Sequence, residues 1–179
     1  MKCESIAVLF VINILILPVH ADEDIEVNPM FGDKSNQLAI HGGESFRSDG
    51  FEKLHFGAIS YSQPDTFFRL PARNNIEVGA YKGDGALGKF DVNFFGFSKD
   101  VALLSGTNSY LSLGLGAYIK DKKTDRISSK FTFGEKLAVG YRFDNGINVE
   151  LFARHFSNGG LTEKNSGQNF AGLTLGYSF

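Results

Sequence analysis

Phe170-Ala171-Gly172-Leu173-Thr174-Leu175-Gly176-Tyr177-Ser178-Phe179 closes the chain, and its alternation decides the fold. Successive side chains of a strand point to opposite faces, so residues two apart share a face. Asn169, Ala171, Leu173, Leu175, Tyr177 and Phe179 make one apolar face, while Gln168, Thr174 and Ser178 fall on the other. A stretch of that length and pattern, ending on an aromatic residue, fits a tilted membrane-spanning strand of about 9–11 residues.

Seven further strand-like segments precede it, at 37–46, 51–62, 73–82, 89–99, 109–120, 128–143 and 147–156, with the last strand at 168–179. Turn residues separate them: Ser48-Asp49-Gly50, Gln63-Pro64-Asp65, Gly83-Asp84-Gly85, the charged run 121–125, and Asp144-Asn145-Gly146, a strong hairpin signal. In the second half the connections alternate short and long, as in outer-membrane barrels with short periplasmic turns and longer outer loops. The expected architecture is all-β, an eight-stranded antiparallel transmembrane β-barrel over residues 35–179. A pore is excluded, because eight strands leave an interior that side chains fill.

The N-terminus points to export. Residues 6–17 are apolar apart from Asn13. As a helix they rise about 18 Å, short of a hydrocarbon core of about 30 Å. Val19-His20-Ala21 then offers a cleavage site, so residues 1–21 read as a signal peptide cut after Ala21. Residues 22–34 are acidic and irregular and are expected to form a flexible lead-in. Cys3, the single cysteine, leaves with the signal, so the mature chain has no thiol chemistry. A net charge of −2 gives no basic surface for nucleic acid. His41 and His55 have no Cys or carboxylate cluster beside them, so no metal and no cofactor is expected.

Parity also assigns faces. A charge on the lipid face near the midplane costs about 2–4 kcal/mol, so Glu150 and Arg154 must point into the barrel. Val149, Leu151 and Ala153 then face lipid, and His155 and Ser157 share that face at the outer end of the strand. Asn169 lies on the lipid face of the last strand. Pairing Phe143 with Ile147 across the 144–146 turn places Glu135 opposite His155. Three strands therefore bring Glu135, His155, Ser157 and Asn169 to one external patch, which a lipid meets and a soluble molecule does not.

A Ser hydroxyl needs an adjacent base, and His155 is on the same face about 6.5–7 Å away between Cα atoms. The base needs an orienting acceptor, and the Asn158-Gly159-Gly160 run can expose backbone amides for an oxyanion. These groups suit ester hydrolysis by acyl transfer. An ordinary polar strand end with an Asn-Gly-Gly loop is the plainer reading of the same spacing, since His-x-Ser is a weak motif.

The stretch RHFSNGGLTEKNSGQN, residues 154–169, followed by a terminal strand, resembles the PagL-type outer-membrane lipid A 3-O-deacylases. Their pattern is His-x-Ser-Asn-(Ala/Gly)-Gly-Leu, a spacer, Asn-x-Gly-x-Glu and the last strand. His155, Ser157, Asn158, Gly160, Leu161, Asn165 and Gly167 match with the same spacing, and the hairpin FGEKLAVGYRFDNG before it is also similar. The resemblance implies an eight-stranded barrel with its site on the lipid-facing wall. It implies hydrolysis of the 3-position ester of lipid A without a metal. Ser157 would be the nucleophile and His155 the base, with Asn158 and Gly160 helping to form the oxyanion hole. The implied partners are lipid A, or lipopolysaccharide, and the outer membrane, with a homodimer left open.

One position departs. Asn169 stands where the family has its triad Glu. An amide can orient the imidazole but cannot stabilise the imidazolium by charge. The same exchange in a serine protease lowers turnover about 10⁴-fold, although papain-like enzymes use Asn as the third member. Three readings stay open. Asn169 orients His155 in a slower enzyme, Glu135 or Glu163 supplies the carboxylate, or the barrel is catalytically impaired and serves a structural or surface-interaction role. A phospholipase on the same wall is a further alternative.

Overall fold

In the computed structural model, residues 27–46, 53–85 and 88–179 are described. The signal-peptide expectation, the first part of the lead-in and the Ser48-Asp49-Gly50 turn lie outside them. Eight strands form in chain order: β1 (Gln37–Ser45), β2 (Lys53–Phe67), β3 (Leu70–Gly85), β4 (Gly88–Ser105), β5 (Ser109–Lys120), β6 (Phe131–Arg142), β7 (Ile147–Ser157) and β8 (Gln168–Ser178). Each pairs antiparallel with its chain neighbour, and β8 returns to β1, closing the barrel. Closure is what a lipid environment demands, since an open edge would leave backbone N–H and C=O groups without partners.

The faces follow the expected parity. Ile59, Val78, Val139, Leu151 and Leu173 are each more than half exposed on the outer wall, while Glu150, Phe152, Arg154 and Phe156 are buried inside. The interior has three zones. Toward the outer end, Phe56, Tyr81, Phe94, Tyr118, Phe156 and Phe170 pack together. Below them is an ionic network. Arg73 donates to Asp100 at 2.7 Å and Glu150 at 2.5 Å, Lys136 reaches Asp100 at 2.5 Å, and Arg154 pairs with Glu77. Removing one partner of such a buried pair strands the other, so the network is stable only as a set. At the opposite end Met30 and Phe31 pack on Ala102 and Tyr110.

The lead-in is therefore irregular, as expected, but its described part is not loose. Met30 and Phe31 are fully buried. Asn28 Nδ2 donates to the Ala72 carbonyl at 2.8 Å, and Asn148 Nδ2 donates to the Met30 carbonyl at 3.1 Å. Two apolar side chains inside an acidic segment find the open end of the barrel, which chain-end position does not reveal.

Three strands run beyond their expected ends. Gln63-Pro64-Asp65 does not break β2: Pro64 pairs with Arg73 in the β2–β3 ladder. β1 begins at Gln37, opposite Ser62, so past that point one side of β2 has no neighbour. Proline is tolerated where no ladder N–H is required. The reversal comes instead at Phe68 and Arg69, with φ of 47° and 69°. Both are left-handed, as a two-residue hairpin turn matching strand twist requires, though neither residue is Gly or Asn. β3 and β4 are likewise longer than expected at 70–85 and 88–105.

Phe31→Ala should lower the unfolding free energy by about 3–5 kcal/mol, the scale for emptying a buried aromatic site. A drop in the urea midpoint of the refolded barrel measures this, and an unchanged midpoint would show that residues 27–34 do not plug the wall.

Candidate active site

The β6–β7 ladder sets Glu135 opposite His155, and the β7–β8 ladder sets His155 opposite Asn169. All three strands thus deliver the residues that parity assigned. His155, Ser157 and Asn169 are partly exposed on the outer wall, and Glu135 is exposed. The intervening inward side chains, Phe156 and Phe170, sit in the buried aromatic zone and fix both strand ends from behind.

His155 Nδ1 and Asn169 Oδ1 are 2.7 Å apart. The amide oxygen can only accept, so Nδ1 carries the proton and Nε2 is left with its lone pair, the form of a base. Glu135 shares the rung, yet the hydrogen bond of the imidazole among the described residues goes to Asn169. Glu163 is exposed in the 158–167 loop, and among the described residues no hydrogen bond or ion pair joins it to His155.

The 158–167 loop is held from within by Asn158, which is fully buried. Its N–H donates to Asn165 Oδ1 at 2.7 Å. Its Nδ2 donates to Thr162 Oγ1 at 2.5 Å and to the Lys164 carbonyl at 3.1 Å. Its Oδ1 accepts the Gly160 N–H at 2.9 Å. The N–H groups of Asn158 and Gly160, expected at an oxyanion hole, are thus engaged in building the loop. Asn165 has its oxygen occupied by the N–H of Asn158, the residue after Ser157, which leaves its Nδ2 as a donor. Sequence reading placed Asn165 in the motif without a role; its amide orientation depends on a contact seven residues away.

Gly167 is the residue that spacing alone could not explain. Its φ is +68°, and a Cβ there would lie 2.4 Å from His155 Cε1 and 3.1 Å from Nε2. Its backbone is the wall against which the imidazole rests. That wall is held in turn by the 121–130 loop. Arg126 Nε donates to the Gly167 carbonyl at 2.7 Å, the Ser166 N–H donates to the Arg126 carbonyl at 2.9 Å, and Ile127 bridges to Asn165. Ile127 is fully buried in the outer aromatic zone, which roots this loop in the barrel mouth.

The other two histidines among the described residues stand elsewhere. His41 is inside, with Thr174 Oγ1 and Ser60 Oγ each 2.8 Å from a ring nitrogen. His55 faces outward, with Nδ1 3.3 Å from Glu44. Among the described residues no group of three His, Cys, Asp or Glu could hold a metal ion.

A closed eight-stranded barrel with an apolar outer wall belongs to the class of small outer-membrane barrels. The family model described as "Lipid A 3-O-deacylase (PagL)" matches residues 58–178. The lipid A deacylase PagL of Bordetella bronchiseptica is 32% identical over 170 residues, covering 84% of this chain and 96% of that protein. The chain belongs to the lipid A 3-O-deacylase (PagL) family and is an outer-membrane β-barrel. Among solved structures, the outer-membrane enzyme PagL is similar with a TM-score of 0.62 at 18% identity, covering 80% of this chain and 99% of that one. Neisserial surface protein A is similar at a TM-score of 0.56 and 14% identity, over 80% of this chain and 96% of that one. Ail of Yersinia pestis follows at 0.51 and 13%, over 82% and 100%. At these identities the three structures speak to the fold.

Gly167→Ala should displace the imidazole and lower turnover about 10²-fold, the scale of an ångström-sized misplacement of a reacting group. The His155 ring resonances in micelles should shift with it. Arg126→Ala should produce a smaller change in both readings. Unaltered ring resonances together with wild-type turnover for Gly167→Ala would show that the backbone there does not seat His155.

Proposed function

We propose that this protein hydrolyses the 3-position acyl ester of lipid A from the lipid-facing wall, with Ser157 as nucleophile, His155 as base and Asn169 as the orienting third member. The observation that carries this reading is the 2.7 Å contact between His155 Nδ1 and Asn169 Oδ1. It leaves Nε2 for the Ser157 hydroxyl, which follows two residues later on the same face. Ser157 Oγ attacks the ester carbonyl carbon as Nε2 takes its proton. Asn165 Nδ2 is assigned as the oxyanion donor, since the Asn158 and Gly160 N–H groups hold the loop. The tetrahedral intermediate expels the sugar 3-hydroxyl, which regains the proton from His155. Water, activated by the same base, then frees the fatty acid and restores the serine.

The amide at 169 keeps the tautomer of His155 but offers no negative charge to the imidazolium that forms during attack. The enzyme should therefore be slow beside a relative with a carboxylate. Asn169→Glu should raise the rate, with the about 10⁴-fold protease effect as the upper scale. Asn169→Ala should lower it, and Ser157→Ala should abolish it. Glu135→Gln and Glu163→Gln should leave it near wild type.

Mass spectrometry of lipid A from cells producing each variant reads all of these. Loss of one 3-linked acyl chain with wild type, absent with Ser157→Ala, is the expected result. Identical lipid A from both would sink the enzymatic reading and favour an impaired barrel with a surface role. Activity lost in Glu135→Gln but kept in Asn169→Ala would make Glu135 the acid instead.

A further inference from the structure

The outer rim on the side away from Ser157 carries a second group of charges that the catalytic reading does not use. The β1–β4 ladders place Glu44, His55, Lys82 and Asp91 on one rung, and Lys53, Asp84 and Lys89 on the rung above. By strand parity all of these face outward, above the apolar band that includes Ile59, Val78 and Phe95. Lys53, His55, Lys82, Lys89 and Lys122 line a cleft of about 680 Å³ with Asp84 and Asp91. Lys122 comes from the 121–130 loop, which Asp121 fastens to β4 through its contacts to Asn93 at 3.1 and 2.8 Å.

Four lysines thus meet two aspartates, in a chain whose net charge is −2. Lys82 is paired with Asp91 at 3.2 Å. Lys53, Lys89 and Lys122 have no ion pair among the described residues. Outward charges in a barrel are tolerated only near the interface, where long lysine stems can lie on apolar wall and lift their ammonium groups to the headgroups. The outward strand positions of the catalytic patch differ: Glu135, His155, Ser157 and Asn169 include no lysine. The outward lysines of the described strands, Lys53, Lys82 and Lys89, therefore all lie on β2–β4.

We infer that this cleft binds the phosphate groups of a phosphorylated glycolipid of the lipid A type, at a site separate from the catalytic one. The separation follows from the topology. β3, at the centre of the cleft, lies four strands from β7 in either direction around the closed barrel. One lipid cannot present its ester to Ser157 and its phosphates to Lys53, Lys82 and Lys89 on the opposite side. The occupant is a second lipid, held by ammonium–phosphate pairs, which sets the depth and tilt of the barrel while the other wall works. The choice of lipid rests on the proposed substrate class, but the cleft itself stands without the catalytic reading.

The test uses full-length refolded protein carrying Ser157→Ala, so that no lipid is consumed, in phosphatidylcholine nanodiscs doped with bisphosphorylated lipid A. Native mass spectrometry counts the lipid A bound. Two molecules are expected, one for each wall. Adding Lys53→Gln, Lys82→Gln, Lys89→Gln and Lys122→Gln together should weaken one of the two about a hundredfold or more, from the usual contribution of a lysine near an anionic surface. Lipid A stripped of its phosphates should lose the same molecule without any substitution. In the Ser157-containing protein, the four lysine changes should leave deacylation in detergent micelles unchanged, which also verifies folding. Equal binding with and without the lysines would overturn the proposal, and so would full retention of phosphate-free lipid A. Displacement by excess inorganic phosphate as readily as by lipid A would make it a simple anion site and overturn the lipid assignment. If the lysine-dependent molecule is the only one bound, the site stands and the proposed substrate reading fails.

Discussion

Hydrocarbon offers the peptide backbone no hydrogen bonds, and that constraint shapes the whole chain. Each N–H and C=O of the wall must find its partner in a neighbouring strand, so the sheet has to close and β8 has to meet β1. Once the sheet is closed, alternation leaves no freedom. Every second residue faces lipid, and every other one enters an interior too narrow for a water channel. Charges such as Arg73, Asp100, Glu150 and Lys136 go inside and neutralise one another. A His-Ser pair on the other parity has no choice but to look outward at the membrane.

A site on an outer wall has no cleft of its own to hold it, and the barrel compensates from two directions. From within, Phe156 and Phe170 anchor the strand ends that carry His155, Ser157 and Asn169. From above, two loops brace each other. Arg126 holds the Gly167 carbonyl, Gly167 backs the imidazole, and Asn158 is consumed in keeping the 158–167 loop folded. The motif residues divide accordingly. In the proposed reaction Ser157 and His155 meet the substrate, whereas Asn158, Gly160 and Gly167 shape what surrounds them.

Asn169 shows how the same scaffold can be tuned. The hydrogen bond to His155 orients the ring as a carboxylate would, and under the proposed mechanism the missing charge would be felt only by the imidazolium formed during attack. Ground-state structure and transition-state stabilisation are thereby separated at one position. Glu135 lies on the same rung, but a neighbouring rung position is not a hydrogen bond. The opposite wall, with its lysines at headgroup level, relates the barrel to the lipid without touching the reacting groups.

Much of this was legible in the linear chain, because its causes are local or periodic. Alternation along 168–179 and 147–156 assigned the faces. The Asp144-Asn145-Gly146 turn set the register that puts Glu135 beside His155, and the β6–β7 ladder carries it; the shared outward face put Asn169 near the end of β7, and the β7–β8 ladder sets it opposite His155. The rest depended on residues far apart in sequence. Pro64 reads as a breaker until β1 is seen to start too late to need its N–H. Met30 and Phe31 read as part of an acidic tail until the barrel end is there to receive them. Asn158 reads as an oxyanion donor until Thr162, Lys164 and Asn165 claim its polar atoms. The backing of His155 by Gly167, and of Gly167 by Arg126, arises only when closure brings the 121–130 and 158–167 loops over the same barrel mouth. The period of two is a property of each strand alone, and the sequence by itself determined the number of strands, their faces and the β6–β7 register. Loop-to-loop and end-to-barrel contacts exist only once the sheet has curved into a cylinder, and tertiary structure alone decided them.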